Sequence, residues 1–312
     1  MAKVAVIGAG NVGATLAHVL AQGDTAAAVT LVDIVEGMPQ GKALDIREAG
    51  PLQDFDCKVS GSNDMGDGVA GADVVVMTAG LARKPGMDRM DLLKRNTDIV
   101  AGAMKAVKER APKAVIVMVT NPLDVMTWVA LKVTGFPRER VTGMAGVLDS
   151  ARYRAFIAME LGVSVTDVSA MVLGGHGDTM VPLPRYSTVN GIPITELLAP
   201  EVVDRLSDRT RKGGAEIVNL LKTGSAYYAP ATSAAQMVEA VLGDRGHLLP
   251  ACVALEGEYG EKGICLGVPV ILGAGGVRKV LELRLSDAEK ATLKKSADAV
   301  RQGIEEVRGM IA

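Results

Sequence analysis

Three histidines are the first candidates for proton transfer in this 312-residue chain, because an unperturbed imidazole titrates near neutral pH. His18 falls in a helix-like stretch and reads as structural. His247 follows Gly246 in a polar turn and reads as solvated. His176 lies in Gly174-Gly175-His176-Gly177, where small neighbours leave room for a ligand, although an ordinary loop histidine would fit there equally well. The three cysteines, Cys57, Cys252 and Cys265, are widely spaced and form no CxxC pair. Buried, reduced thiols are expected, and neither a disulfide framework nor a metal site is indicated.

A second constellation lies at the start of the chain. Gly8-Ala9-Gly10-Asn11-Val12-Gly13 follows a strand-like run and opens a helix-like one. Gly8 permits the tight turn, Gly10 a close backbone approach to a pyrophosphate, and Gly13 close helix–strand contact. The helix amino terminus then offers free N–H groups to the phosphates. A GxGxxG turn alone is a weak signal. Asp33 strengthens it, standing 20 residues after Gly13 at the end of the second apolar run. A carboxylate there accepts the ribose hydroxyls and repels a 2′-phosphate, so the expected cofactor is NAD rather than NADP.

The elements that must hold these residues show in the hydrophobic pattern. Val4–Ile7, Val29–Val32, Val74–Thr78 and Val115–Val119 are apolar at consecutive positions, as in strands covered on both faces. Val12–Gln22, Gly41–Glu48 and Met90–Arg110 between them read as helices. This alternation predicts an α/β fold with a doubly wound parallel (Rossmann) sheet, ligands binding at the carboxyl ends of its strands. Past Gly143 the pattern changes. Asn190-Gly191 marks a hairpin within Ser187–Ile194, Glu201–Leu221 a long helix, and Val253–Val280 a glycine-broken set of strands. Ser286 with Glu289 forms a capping box, and Leu293, Val300, Ile304, Val307 and Ile311 give the last helix its buried face. The expected division is a dinucleotide-binding domain over 1–144 and a mixed α+β substrate domain over 145–312, a length suited to two domains of about 150 residues each.

Composition narrows the class. With 48% hydrophobic and 22% charged residues the chain is globular. A net charge of -2 and 3% aromatic residues argue against nucleic-acid binding. No apolar run approaches a membrane span. Met1-Ala2-Lys3 runs straight into the first strand without a leader, so a reduced, cytoplasmic location is the default expectation.

Four further segments, AGLARKPGMDRM (79–90), VTNPLD (119–124), GVLDSAR (146–152) and GGHGDT (174–179), join the GAGNVG turn in an order and spacing that resemble the lactate/malate dehydrogenase family. GSAYYAP (224–230) looks similar as well. Within that family the resemblance is strongest to the malate-type branch built like the lactate-type enzymes. It implies an NAD-dependent oxidoreductase moving hydride reversibly between (S)-malate and NAD to give oxaloacetate and NADH, in the tricarboxylic acid cycle. It makes His176 the catalytic acid/base, since one group must take the hydroxyl proton while hydride leaves the same carbon. Asp149 is then its partner, orienting the ring and stabilising the imidazolium; a helix N-cap is the alternative for Asp149.

The same resemblance implies the remaining roles. Arg152, three residues after Asp149, grips the carboxylate beside the reacting carbon in a two-point contact. Arg89 polarises the reacting carbonyl and stabilises oxygen charge in the transition state. Arg83 selects substrate: lactate-type relatives carry glutamine there, malate-type relatives an arginine that pairs the second carboxylate. Both arginines flank Lys84-Pro85-Gly86-Met87-Asp88, a stretch suited to a lid, with ordinary loop-surface charges as the alternative. Asn121 contacts substrate oxygen and cofactor, with turn chemistry before Pro122 as its alternative. Val119 (by its backbone) and Asn96 contact cofactor, and Ser225 and Ala226 line the pocket. No metal is needed where arginines and imidazolium supply the positive charge. Relatives form dimers or tetramers, and a homotetramer is expected.

Three other readings share parts of this pattern. A lactate or other 2-hydroxyacid dehydrogenase would use the same scaffold, with Arg83 against it. A dinucleotide sensor without turnover would not need His176, Asp149, Arg152, Arg89 and Asn121 together. An NAD-requiring glycosidase should carry cysteine and histidine metal ligands, which the sequence does not suggest.

Overall fold

The consecutive apolar runs pair into one sheet in the computed structural model, which describes residues 2–81 and 89–311 (of Arg89 its backbone alone). Six strands run parallel: β1 (Lys3–Ile7), β2 (Ala28–Val32), β3 (Lys58–Ser62), β4 (Val74–Met77), β5 (Val115–Met118) and β6 (Val141–Gly143). Their spatial order is β3-β2-β1-β4-β5-β6. The helices α1 (Asn11–Gln22), α2 (Met38–Gln53), α3 (Met65–Val69), α4 (Arg89–Arg110) and α5 (Leu123–Thr134) alternate with them along the chain. Strands β4 and β5 are buried at every residue, as their unbroken apolar sequences require of a sheet covered on both faces. Strand order reverses between β1 and β4, the switch point where a crevice opens at the carboxyl ends.

Strands β3 and β6 escape the hydrophobic pattern for physical reasons. Lys58–Ser62 is an edge strand with an exposed, polar face, and a Cβ on Gly61 would lie 2.3 Å from the Pro39 and Gln40 backbone of α2. Close helix–strand packing there demands glycine, which erases the apolar signature. Val141–Gly143 is three residues long, too short for a period to show.

After β6 come α6 (Gly146–Leu161), the two-residue strands β7 (Val168–Ser169), β8 (Val172–Leu173), β9 (Val181–Pro182), β10 (Thr188–Val189) and β11 (Ile192–Pro193), then α7 (Ile194–Leu197), α8 (Pro200–Leu221) and α9 (Tyr228–Leu242). The antiparallel strands β12 (His247–Glu256), β13 (Lys262–Gly273) and β14 (Gly276–Val280) precede the final helix α10 (Asp287–Val307). Asn190 (φ 49°) and Gly191 (φ 88°) both take positive φ at the β10–β11 turn, as a tight hairpin demands. The capping box of Ser286 and Glu289 opens α10, which buries Leu293, Val300, Ile304 and Val307 while Ile311 lies beyond its end.

Two expectations change. The strand expected from Val253 begins at His247, which faces solvent opposite Leu272 in β12 instead of lying in a turn. Moreover, β12 pairs antiparallel with β6 through Cys252–Gly143 and Val253–Thr142, so the first sheet continues to nine strands among the described residues. Gly143 lets the strands meet, because a Cβ there would stand 2.6 Å from Thr127 Oγ1 and 3.0 Å from Cys252 Cβ.

Candidate active site

The β1, β4 and β5 carboxyl ends and the segments after residue 146 enclose a cavity of about 560 Å³. Its walls include Val12, Asn121, Arg152, His176, Gly214 and Ser225.

At the β1 end the chain enters α1 through the glycine turn. Gly8 has φ 103°, and a Cβ there would lie 2.6 Å from Ala79 N after β4. A Cβ on Gly13 would stand 1.8 Å from Gly8 O, so neither position admits a side chain. Gly10 differs: among the described residues nothing lies within 4 Å of its Cβ position, and no side chain caps α1. Asn11 is exposed and Ala9 buried. The turn thus leaves open space and uncapped N–H groups where a pyrophosphate fits. Asp33 braces the turn. Its Oδ2 takes the Ala9 N–H at 2.7 Å and its Oδ1 the Val35 N–H at 3.0 Å. Lys42, which the sequence reading passed over, donates to Ala9 O at 2.7 Å. The Ala9 peptide is therefore held from both ends, by residues 24 and 33 positions away.

Helix α6 carries the acidic half of the second cluster. Asp149, 2% exposed, lies in its first turn, and the helix starts without a side-chain cap, so the N-cap alternative is not what forms. Its Oδ2 is 2.9 Å from His176 Nδ1, and its Oδ1 accepts from Arg152 Nη1 at 3.2 Å. Burial pushes the His176 pKa down, but the charge and hydrogen bond of Asp149 outweigh this and leave it raised. The Arg152 guanidinium is lowered by burial, with Asp149 opposing. Its Nε is buried with no hydrogen-bond partner among the described residues. Space for it comes from α8, where a Cβ on Gly213 would lie 3.2 Å from Arg152 Cδ. A buried arginine with an open donor edge is the arrangement that a ligand carboxylate satisfies.

The segment after β5 supplies the third wall. Val119 is half-buried and Asn121 is exposed toward the cavity, just before a cis Asn121–Pro122 bond. Asn96 is 1% exposed, and its amide is committed to backbone: Oδ1 accepts from Leu81 N at 2.8 Å and Nδ2 donates to Asn121 O at 2.8 Å. Its position suits holding the Asn121 turn more than touching a ligand. Ser225 and Ala226 line the cavity. Arg83 lies outside the described residues, as does the Arg89 side chain, while the Arg89 backbone starts α4. His18 faces Gln53 at 2.9 Å, away from this cluster.

The model of the lactate/malate dehydrogenase NAD binding domain matches residues 2–143, and that of the family's alpha/beta C-terminal domain matches residues 146–310. The chain belongs to the lactate/malate dehydrogenase family. Among its relatives, malate dehydrogenase of Roseiflexus sp. (strain RS-1) is 56% identical over 308 residues, covering 99% of each chain. Malate dehydrogenase from Salinibacter ruber superposes with a TM-score of 0.94 at 51% identity, over 99% of this chain and 98% of that one. Lactate dehydrogenase from Cryptosporidium parvum, solved with lactic acid and b-nicotinamide adenine dinucleotide, gives 0.93 at 42% identity over 97% of both chains. The fold is the family's: a large, mostly parallel sheet with helices and a C-terminal α/β part.

Proposed function

We propose that this chain moves hydride reversibly between (S)-malate and NAD⁺, giving oxaloacetate and NADH. The observation that carries the reading is the pairing of buried Asp149 with His176, whose ring shares a cavity wall with Val12 of the glycine turn. With Asp149 occupying Nδ1, His176 Nε2 is the atom that takes the malate hydroxyl proton and returns it in reduction. Asp149 holds the ring in that tautomer and offsets the imidazolium charge. Arg152 grips the carboxylate beside the reacting carbon through its open edge. Arg89 polarises the reacting oxygen, and Asn121 hydrogen-bonds it. Gly8, Ala9, Gly10, Asn11, Val12 and Gly13 cradle the pyrophosphate, Asp33 the ribose, and Val119 with Asn121, backed by Asn96, the nicotinamide end. The cofactor, when bound, supplies the hydride acceptor.

The choice of a four-carbon substrate rests on Arg83 and on relatives named malate dehydrogenase at 51–56% identity. A second carboxylate buried without a partner would cost several kcal/mol, which a guanidinium removes. The same scaffold in the lactate dehydrogenase neighbour makes pyruvate the competing substrate to test. Steady-state rates with oxaloacetate and with pyruvate, each with NADH and then NADPH, decide the matter. Oxaloacetate with NADH should lead by roughly tenfold to over a hundredfold in kcat/KM, the worth of one well-placed charged contact. Comparable pyruvate turnover would remove the malate reading, and a preference for NADPH would remove the role given to Asp33.

The finer reading is a cytoplasmic homotetramer of the tricarboxylic acid cycle, with its domains divided at 144/145. Reduced thiols at Cys57, Cys252 and Cys265 suit a reducing compartment. Exposed Leu44 and Leu52 on α2, Leu220 and Leu221 ending α8, and Tyr228 opening α9 suit association between copies. Sedimentation equilibrium measures the assembly directly, and a monomer at micromolar concentration would exclude it.

A further inference from the structure

A second buried carboxylate stands behind His176. Asp124, in the first turn of α5, is 5% exposed, and its Oδ2 accepts the His176 backbone N–H at 2.8 Å. Its Oδ1 has no hydrogen-bond partner among the described residues. The neighbouring amide, Gly175 N–H, is held at 2.8 Å by the neutral hydroxyl of Ser296 on α10, which also meets Thr179 Oγ1 at 3.1 Å. A hydroxyl therefore suffices to hold an amide of this loop. A carboxylate doing the same work one residue on carries a desolvation penalty that needs a separate gain.

The charges around the imidazole supply that gain. Asp149 shares its carboxylate between His176 and Arg152, so the Arg152 cation opposes the imidazolium while Asp149 favours it. Asp124 approaches from α5 as a further carboxylate, with the Cys252 thiol of β12, pushed up by burial, beside it. Burial pushes the Asp124 carboxyl up, and the amide and charge of His176 pull it back. Asp124 also stands three residues after Asn121, in the segment matched by the NAD-binding model, whereas His176 lies in the segment matched by the C-terminal model.

We propose that Asp124 is a positioning residue for hydride transfer, tying the His176 loop to the cofactor-side turn of Asn121 and supplying the negative charge that offsets Arg152 when His176 carries its proton. The inference rests on the malate–oxaloacetate reading given above.

The test compares Asp124→Asn, which keeps shape and an amide acceptor but drops the charge, with Ser296→Ala, which removes a neutral hydroxyl that accepts from Gly175 N–H and meets Thr179 Oγ1. In Asp124→Asn the alkaline limb of kcat/KM for oxaloacetate should move to lower pH by about half a unit or more, with kcat at pH 8 falling severalfold. The KM for NADH should stay within about twofold, since no cofactor contact is touched. Ser296→Ala should lower kcat and leave the limb in place. An Asp124→Asn profile superimposed on that of the unmodified enzyme, or an equal shift in Ser296→Ala, overturns the proposal. If Asp124→Asn does not fold, amide hydrogen exchange on the unmodified protein decides. Protection of the His176 amide supports the tie, and exchange as fast as that of Gly177 overturns it. An unmodified enzyme that fails to reduce oxaloacetate counts against the parent reading alone, because the exchange measurement needs no turnover.

Discussion

Arg152 reaches Asp149 across one turn of α6, Nη1 to Oδ1 at 3.2 Å, while its Nε stays buried without a hydrogen-bond partner among the described residues. One carboxylate thereby orients both the proposed acid/base and the proposed carboxylate anchor. The histidine and the arginine cannot be adjusted independently.

Arg152→Lys should separate anchoring from chemistry. Lysine restores the charge but not two parallel N–H donors, and its ammonium would not fill the edge that Gly213 and Gly214 leave open. The expected loss is about 1.5–3 kcal/mol, roughly tenfold to over a hundredfold in kcat/KM for oxaloacetate. Fluorescence titration with NADH should show an unchanged Kd. A weakened Kd of similar size would mean that the anchor role is misplaced.

The pH dependence follows from the raised His176 pKa, set by burial opposed and outweighed by Asp149. Oxaloacetate reduction needs the imidazolium, so its kcat/KM should be flat at low pH and fall as pH rises through the His176 pKa, at a midpoint above that of an ordinary imidazole. Malate oxidation needs the neutral ring and should rise through the same midpoint. In Asp149→Asn the midpoint should drop and the rate should fall about a hundredfold or more, the scale of general acid–base catalysis. A midpoint that stays put in Asp149→Asn would break the link between pair and profile.

The part of this architecture that is local in sequence was legible. The glycine turn, the apolar strands and the capping box each lie within a dozen residues, and each is dictated by backbone sterics or periodicity. Strand β3 was not legible, because Gly61 makes way for α2 and leaves no apolar mark. Nor was the sheet's continuation through β12, since Cys252 meets Gly143 across more than a hundred residues and nothing in either run names the other. Within the site, resemblance pointed to His176 and Asp149, but Asp124 and Lys42 act through backbone atoms, which leave no residue-type pattern to read. Asn96 shows the converse, its side chain being occupied by Leu81 and Asn121.

The two glycines Gly10 and Gly13 should behave oppositely when changed to alanine. Gly13→Ala drives a Cβ to 1.8 Å from Gly8 O, a clash with backbone that cannot rotate away, and should cost about 3 kcal/mol or more of folding stability. Gly10 has φ -67°, and its Cβ would meet nothing within 4 Å among the described residues. Gly10→Ala should therefore melt like the unmodified protein without cofactor, yet bind NADH roughly tenfold or more weakly, by intruding on the pyrophosphate. Calorimetry with and without NADH measures both. Unimpaired NADH binding by Gly10→Ala would mean that no phosphate approaches this turn.

Substrate choice is the sharpest consequence of a single side chain. Arg83 lies outside the described residues, so its role rests on sequence, but the electrostatic logic is simple to test. Oxaloacetate brings a second carboxylate, and enclosing it without a partner costs several kcal/mol. With pyruvate the arginine itself would be the unpaired charge. Arg83→Gln should thus lower kcat/KM for oxaloacetate and raise it for pyruvate, moving their ratio by about three orders of magnitude if each mismatch costs about 2 kcal/mol. The NADH Kd and the pH midpoint set by Asp149 and His176 should not move. A ratio unchanged within about threefold would show that another group neutralises the far carboxylate, and the search would then turn to Arg211, which lines the same cavity from α8.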